Sequence, residues 1–390
     1  MDSFKITLFL ITLIKKRKMS KTFLAISALI GTIIGAGFLG IPYVVMKSGF
    51  SIGLFHLIFL AIVLGIIMLY LGEIVLRTKT NHQLPCYAEK YLGKPGKKLM
   101  LAAFTFGIYS AIIAYLIAEG ESFSFIFTNS IQYQFIFGIA FWIVLSALSY
   151  FGLKALEEAD SLGFIIIIIL VISIIALKIS KIDTSNLTYS NPINFFTPFG
   201  VILFAYLGFS VVPEMKRIFG KENNLMKKSI ICAQIIAFAI YVIFTIVVLG
   251  FAGANTPQLS TLALGKPFIL LGMITMFTSY ITLSIVLIDT FRFDFHLSKA
   301  KSWLITIIIP LIAFIILELT NNASFTTILS VGGVISGGLT AILILFMVKN
   351  AKKFGNRTPE YEIPYSKILT WFLILVFIIG AILEIINVIK

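Results

Sequence analysis

Runs of about 20 mostly apolar residues recur along nearly the whole chain of 390 residues. A helix of that length spans the hydrocarbon core of a bilayer. Hydrophobic residues make up 59% of the chain and charged residues 12%, whereas soluble domains are about half apolar and about a quarter charged. The sequence therefore predicts an all-α polytopic membrane protein in contact with the lipid bilayer and excludes a soluble one.

We predict eleven spans within one transmembrane domain that covers residues 22–390. Short helices are also expected at 83–92 and within 256–265. The predicted spans are 22–47, 51–76, 97–127, 133–151, 160–179, 195–214, 228–251, 267–289, 302–319, 325–348 and 367–388.

Residues 1–21 are expected to form a cytoplasmic segment before the first span. Their apolar stretch, 4–14, is too short to cross a membrane. A basic run follows it where a signal peptide would have a small-residue cleavage site. Met19 offers a second start, so residues 1–18 are interpreted as an upstream extension or a segment on the membrane surface.

The net charge of +14 is spread over short loops between the apolar spans. That distribution disfavours a nucleic-acid partner, which would need a continuous basic face. Nearly all of the 31 basic residues fall on the side of the amino terminus. Those expected on the other side are Lys47, Lys178, Lys181, Lys266 and Lys390. The positive-inside rule then predicts a multi-pass cell-membrane protein with a cytoplasmic amino terminus and an extracytoplasmic carboxyl terminus.

The first span is a poor uninterrupted helix. It contains Gly31, Gly35, Gly37, Gly40 and Pro42, and each glycine costs about 1 kcal/mol and each proline about 3 kcal/mol in a helix interior. One explanation is a small-residue face that packs closely on another helix. The other is a discontinuous helix whose freed amides favour a carboxylate and whose freed carbonyls favour an ammonium group or Na⁺.

The sixth span repeats the pattern and favours the second explanation. Gly208 precedes Pro213 by the same five positions that separate Gly37 from Pro42. The two spans begin two five-span halves, at about 22–179 and 195–348, which have opposite orientations because five is odd. Interrupted spans at corresponding positions of inverted halves mark the binding site of secondary transporters. No covalent chemistry is required, so no catalytic residue, cofactor or enzyme activity is predicted.

Four stretches also carry a family resemblance. They are GTIIGAGFLGIPYVVMKSGF (31–50), LPCYAEKYLGKPGKKL (84–99), AYLIAEGES (114–122) and LFAYLGFSVVPEMKR (203–217). In this order the chain resembles the amino acid/auxin permease and aromatic amino acid permease families of the amino acid–polyamine–organocation (APC) superfamily. The resemblance implies a LeuT-like 5+5 inverted repeat with an eleventh helix, and uptake of an amino acid driven by H⁺ or Na⁺.

The resemblance also implies which residues bind the substrate. Backbone groups at Ile34, Gly35, Ala36, Gly37 and Phe38 would meet its carboxylate and amine. The opposite wall would consist of Tyr206, Leu207 and Gly208, with Phe204 beside them. Tyr115 of the third span is a further candidate, since a phenol can hydrogen-bond a carboxylate; the alternative is a packed tyrosine. The aromatic wall favours a neutral or aromatic amino acid.

Hydroxyl groups in the eighth span are candidates for ion coupling. In sodium-coupled members of the superfamily such hydroxyls join carbonyls of the first span, so the resemblance points to Thr278, Ser279 and Thr282. Alternatively, these side chains bond to their own helix. Other membrane-embedded ionisable groups are Glu119 and Glu121, expected near an outer vestibule, and His56, expected to be a structural histidine or a proton carrier.

Other functions remain as alternatives. A membrane sensor that binds an amino acid with little turnover is one, and a transporter of another small organic cation or amine is a second. A metal-ion carrier is disfavoured because the breaks offer only the hydroxyls of Tyr206 and Ser210, so no metal site is predicted. An intramembrane enzyme is disfavoured because His56, His82 and His296 are scattered. A monomer is compatible with the sequence, which does not determine the oligomeric state.

Overall fold

The computed structural model describes residues 20–151 and 159–389, so most of the predicted amino-terminal segment lies outside it. Within these residues the regular structure is helical, apart from an isolated antiparallel bridge between Gly49 and Ser190. The α-helices are α1 (Lys21–Ile33), α2 (Ile41–Ser48), α3 (Phe50–Leu76), α4 (Leu84–Thr128), α5 (Gln134–Phe151), α6 (Ala159–Lys178), α7 (Thr197–Ala205), α8 (Val212–Phe219), α9 (Met226–Ala252), α10 (Thr261–Leu264), α11 (Lys266–Asp294), α12 (Lys299–Leu319), α13 (Phe325–Gly332), α14 (Gly338–Phe354) and α15 (Lys367–Ile389).

Several shorter elements connect these helices. A 3₁₀ helix at Ala36–Gly40 lies between α1 and α2, and a π-helical turn at Gly333–Gly337 joins α13 to α14. Further 3₁₀ turns lie at Ile179–Lys181, Thr184–Leu187, Pro192–Asn194, Asn223–Leu225 and Gly253–Asn255. The short helix predicted within 256–265 is α10. The one predicted at 83–92 is the start of α4, which bends at Gly93 (φ 76°, ψ −173°) just before Pro95.

In the described part of the chain, 8 helices are long and apolar enough to cross a membrane, and the bent pair α1 with Ala36–Ser48 gives a ninth. The faces turned outward carry exposed apolar side chains such as Ile143, Ile312 and Ile379, as lipid contact requires. The fifth predicted span corresponds to α6 and the sixth to α7 and α8, which have 9 and 8 residues. The count of eleven spans therefore stays a prediction.

The helices pack in two groups. One consists of α1, α2, α3, α7, α8 and α9, which contact one another repeatedly. We call it the bundle group. The other consists of α4, α5, α11 and α12, which likewise pack on each other. We call it the scaffold group. The long helix α4 also contacts α13 and α14. The two broken helical pairs, α1–α2 and α7–α8, therefore lie in the same group.

One end of the molecule, called here the basic end, carries an ion-pair network. The basic side chains at this end of the molecule include Arg77, Lys216, Lys352 and Arg357. At its centre Glu73 is fully buried and accepts hydrogen bonds from Arg77 Nε (2.8 Å), Lys352 Nζ (2.6 Å) and the Ile363 amide (2.8 Å). The loop 355–366 between α14 and α15 is thereby fixed to the end of α3.

Candidate functional site

The first helical break separates α1 from α2. Ile34 (φ −88°, ψ 63°) and Gly35 (φ −83°, ψ −153°) leave the helical conformation, and the two segments on either side are bent by 45°. A helix that ends leaves its last carbonyls, and one that begins leaves its first amides, without helical partners. The break therefore places backbone groups that have no partner within a helix inside the protein, since Ile34 and Ala36 are both buried.

The second break separates α7 from α8. The chain is non-helical from Tyr206 to Val211, and α8 begins at Val212. Pro213 lies in the first turn of α8, as Pro42 lies in the first turn of α2. Proline suits a first turn because its missing amide hydrogen would have had no helical partner there. The Gly-to-Pro spacing thus marks the start of both second half-helices.

The two breaks contact each other. A Cβ atom added at Gly37 would lie 3.0 Å from Ala205 Cα and 3.1 Å from Phe204 Cδ1. On the other side, the Tyr241 hydroxyl of α9 lies 2.8 Å from the Ile33 carbonyl oxygen and 2.7 Å from the Ala205 carbonyl oxygen. Ile33 and Ala205 are the last residues of α1 and α7. Tyr241 was not among the predicted residues, because nothing in the sequence of α9 indicates that it faces both breaks.

A cavity of about 130 Å³, called here the central cavity, opens beside the breaks. Its walls are largely apolar and include Phe104, Phe204, Leu207 and Phe209. Its polar groups are Thr32, Tyr115, Ser210, Ser336 and Thr340 together with backbone at Gly35 and Gly37. None of the described residues that line it is Asp, Glu, Lys or Arg. It extends toward the basic end, where Leu84 forms part of the wall.

A second cavity of about 80 Å³, called here the hydroxyl cavity, lies between the first break and α11. The two cavities share Thr32, Gly35, Tyr115 and Leu283. The hydroxyl cavity is also lined by Gly31, Ile34, Ile167, Thr275, Thr278, Ser279 and Thr282. Thr275 and Thr278 donate their hydroxyl hydrogens to backbone carbonyls at 2.6 and 3.0 Å, so their lone pairs stay available to a cation. Among the described residues, no group of His, Cys, Asp or Glu side chains could hold a metal.

Tyr115 lies where the two cavities meet. It is 3% exposed, and its hydroxyl has the Ser279 side chain and the Ala36 backbone as hydrogen-bonding neighbours. A Cβ atom added at Gly35 would be 3.5 Å from that hydroxyl. Tyr115 therefore joins the scaffold group, through α4 and α11, to the first break.

Most of the predicted site residues come together around these cavities. Those that line one or both are Ile34, Gly35, Gly37, Tyr115, Phe204, Leu207, Thr278, Ser279 and Thr282. The others are packed around them. The Phe38 ring faces Phe244 at 4.9 Å, and the Tyr206 hydroxyl donates to the Leu57 carbonyl at 3.3 Å. Gly208 packs against Leu29 and Ile33, and Ala36 is a neighbour of Tyr115 through its backbone.

The remaining ionisable candidates are all buried. His56 donates from Nδ1 to the Ile52 carbonyl at 2.9 Å and is ringed by phenylalanines, including Phe195 at 4.9 Å. Glu119 is 1% exposed and Glu121 is 9% exposed. Neither carboxyl lies in a solvated vestibule, in contrast to the expectation for the two glutamates.

The end opposite the basic end is closed over the breaks. The Gln258 side-chain oxygen accepts hydrogen bonds from the Ser324 hydroxyl (2.9 Å), the Thr326 hydroxyl (3.1 Å) and the Thr326 amide (3.3 Å). Close by, the Ser260 amide donates to the Leu39 carbonyl at 3.1 Å. The loop before α11 is thus tied both to α13 and to the 3₁₀ helix after the first break.

Two adjoining broken helices around an interior cavity, in a chain with many membrane-crossing helices, define the class of multi-pass membrane transporters. The chain belongs to the tryptophan/tyrosine permease family, whose model matches residues 18–385. It is 23% identical over 349 residues to glutamine transporter 2 of Aliivibrio fischeri, a match that covers 84% of this chain and 89% of the relative. It is 21% identical over 240 residues to tyrosine-specific transport system 1 of Haemophilus influenzae, covering 61% and 60%. The protein is an amino acid transporter.

Proposed function

We propose that the protein is a secondary active transporter that moves a neutral or aromatic amino acid by alternating access, coupled to H⁺ or Na⁺. The observation that supports this most directly is that residues of both breaks line a central cavity, and that none of the described lining residues is charged. A zwitterion has one carboxylate and one ammonium group, which half-helix amides and carbonyls can stabilise.

The lining of the central cavity supports a neutral side chain. A charged substrate side chain would be buried there without an opposite charge, which is costly. The phenylalanines and Leu207 offer apolar contact to an aliphatic or aromatic group, and Ser210 and Thr340 offer hydrogen bonds to an amide or a phenol. The two relatives, named as transporters of glutamine and tyrosine, agree with a neutral substrate.

The packing of the helices supports a LeuT-like 5+5 arrangement with eleven spans, as in the APC superfamily. The bundle group holds spans one, two, six and seven, and the scaffold group holds spans three, four, eight and nine. In such an arrangement one group rocks against the other around the substrate. The basic end would be cytoplasmic by the positive-inside rule, so the central cavity would open toward the cytoplasm.

The hydroxyl cavity supports a role for α11 in ion coupling. Its lining combines Thr278, Ser279 and Thr282 with residues of the first break, and oxygen ligands suit a hard cation such as Na⁺. The same site would be unnecessary if the driving ion is a proton. The coupling ion is therefore the part of the proposal that needs a direct measurement.

Reconstitution into proteoliposomes tests the proposal. Uptake of a radiolabelled amino acid is measured under an imposed Na⁺ or H⁺ gradient, with each of the common amino acids as a competitor. We expect accumulation above equilibrium under one gradient and competition by neutral or aromatic amino acids. Binding without counterflow would instead identify a sensor. No uptake of any common amino acid under either gradient would reject the proposal.

A further inference from the structure

Glu119 is a buried carboxyl group that neither cavity accounts for. It lies in α4 and is 1% exposed. Both of its carboxyl oxygens are buried without a hydrogen-bond partner among the described residues. The ion pairs found in the described ranges, 20–151 and 159–389, do not include it. An isolated acidic group in such surroundings is either protonated or in contact with a bound cation.

The position of Glu119 connects it to the transport site. It follows Tyr115 by four residues, so the two side chains lie on the same face of α4 with Cβ atoms about 5–6 Å apart. Tyr115 lines both cavities and neighbours Ser279 of α11. Farther along, Lys266 at the start of α11 donates to the Ile126 carbonyl of α4 at 2.9 Å. The two helices therefore run antiparallel, and Glu119 lies one turn beyond the cavities toward the end opposite the basic one.

Three of the other titratable groups around this part of α4, Tyr280, Lys266 and Glu318, have hydrogen-bond partners of their own. On α11, Tyr280 shares a hydrogen bond with Ser146 at 3.3 Å, and Lys266 is held by Ile126. On α12, Glu318 accepts two hydrogen bonds from Gln134 of α5 at 3.1 and 3.2 Å. Glu121 of α4 lies near Glu318, a second acidic group and therefore not an opposite charge. The other acidic and basic residues of the helices packed on α4, together with Tyr150 of α5, lie toward the basic end: Asp289, Arg292, Asp294, Lys299, Lys301, Lys349, Lys352 and Lys353. The described part of α13 and of the π-turn has none.

A neutral Glu119 is compatible with this closed packing, and an ionised one without a bound cation is not. An ionised carboxylate is stable only in a conformation that gives it water or an opposite charge. Because a group that is protonated in one conformation and ionised in another links the two to pH, the conformational change must take up or release a proton. We infer that Glu119 is the proton-binding residue that couples amino acid transport to a proton gradient.

This inference rests on the proposed alternating-access function and selects H⁺ as the driving ion. The carboxylate would accept one proton from the side on which it is hydrated and become a neutral carboxylic acid. The neutral acid allows the closed packing to form. It would lose the same proton when the opposite side opens, so one proton crosses per cycle.

The test uses the full-length protein in proteoliposomes and the variant Glu119→Gln, which imitates the protonated form. Wild type should accumulate substrate when the lumen is alkaline relative to the outside. Without an imposed pH gradient, addition of external substrate should acidify the lumen, as followed by an entrapped pH dye. Glu119→Gln should keep amino acid counterflow within about 2-fold but lose accumulation and proton flux. Glu121→Gln is the matched control on the same helix and should keep all three activities.

A spectroscopic readout separates this inference from the proposed function. The infrared difference between wild type and Glu119→Gln should contain the band of a protonated carboxylic acid at neutral pH. Accumulation by Glu119→Gln under a proton gradient, or absence of that band, overturns the inference. Absence of counterflow in the wild type would instead reject the transport proposal. If Glu119→Gln does not fold, Glu119→Asp decides: it should retain proton-driven uptake with a shifted pH profile, and an unshifted profile overturns the inference.

Discussion

The hydroxyl of Tyr241 lies 2.8 Å from the carbonyl oxygen of Ile33, the last residue of α1. The same hydroxyl lies 2.7 Å from the Ala205 carbonyl at the end of α7. One hydroxyl group of α9 therefore lies within hydrogen-bonding distance of the last carbonyl of the first half of each broken helix. Because Tyr241 is fully buried, no solvent can replace it in this conformation.

Tyr241→Phe should impair transport more than it impairs folding. The variant keeps the ring but removes the one hydroxyl hydrogen that can be donated to either buried carbonyl, at a cost of about 1–3 kcal/mol. We expect a lower thermal midpoint in detergent and an initial uptake rate reduced about 10-fold, since 1.4 kcal/mol corresponds to a factor of ten. Tyr280→Phe is the control, because its hydroxyl contacts only Ser146 among the described hydrogen bonds. Equal uptake by the two variants would contradict the proposed role.

Gly37→Ala should separate the two breaks. Its new methyl group would meet Ala205 Cα at 3.0 Å, which is backbone that cannot rotate away. Overpacking of this kind costs about 1–3 kcal/mol, and here it falls on the wall of the central cavity. We expect uptake near background with protein still present in the membrane. Gly338→Ala, whose methyl would meet only Phe377 at 3.7 Å, should behave like wild type in the same assay.

Tyr115→Phe should weaken substrate binding. The hydroxyl lies where both cavities meet, and its loss removes a hydrogen-bonding group worth about 0.5–1.5 kcal/mol. The KM for uptake should rise about 3- to 10-fold, with a smaller change in maximal rate. Tyr109→Phe provides the control on the same helix, since the Tyr109 hydroxyl donates to the Ile305 carbonyl at 3.1 Å outside the cavity. An unchanged KM in Tyr115→Phe would show that its hydroxyl does not bind substrate.

Glu73→Gln should destabilise the basic end. The substitution removes the charge shared by Arg77 and Lys352, whose side chains are 12% and 22% exposed and can reach water in part. We expect a loss of about 1–3 kcal/mol, read as a lower thermal midpoint in detergent. Glu214→Gln breaks only the exposed pair with Arg217, where about 0–1 kcal/mol is expected. A larger shift for Glu214→Gln than for Glu73→Gln would refute the ranking.

The sequence predicted the helical breaks because local chemistry determines them. Glycine and proline destabilise a helix wherever the chain folds, so Gly37, Pro42, Gly208 and Pro213 were sufficient to locate both interruptions. The lining hydroxyls of α11 followed from a family resemblance rather than from local chemistry. Their role in ion coupling stays a prediction.

Other features depend on tertiary packing and could not be predicted from sequence. Tyr241 resembles any other tyrosine in an apolar helix until α1 and α7 are placed beside it. Glu119 and Glu121 were expected near water because acidic residues close to a span end are usually solvated. The structure buries both, and α5, α11 and α12 all pack on α4.

The loop 355–366 has a mechanical consequence for alternating access. It fixes α14 to the basic end of α3 through Glu73, and α3 belongs to the bundle group whereas α14 does not. Any rocking of the bundle group must either break this network or pivot about it. If the network stays intact, the pivot lies at the basic end, and the largest displacement occurs at the opposite end, where Gln258 holds α13.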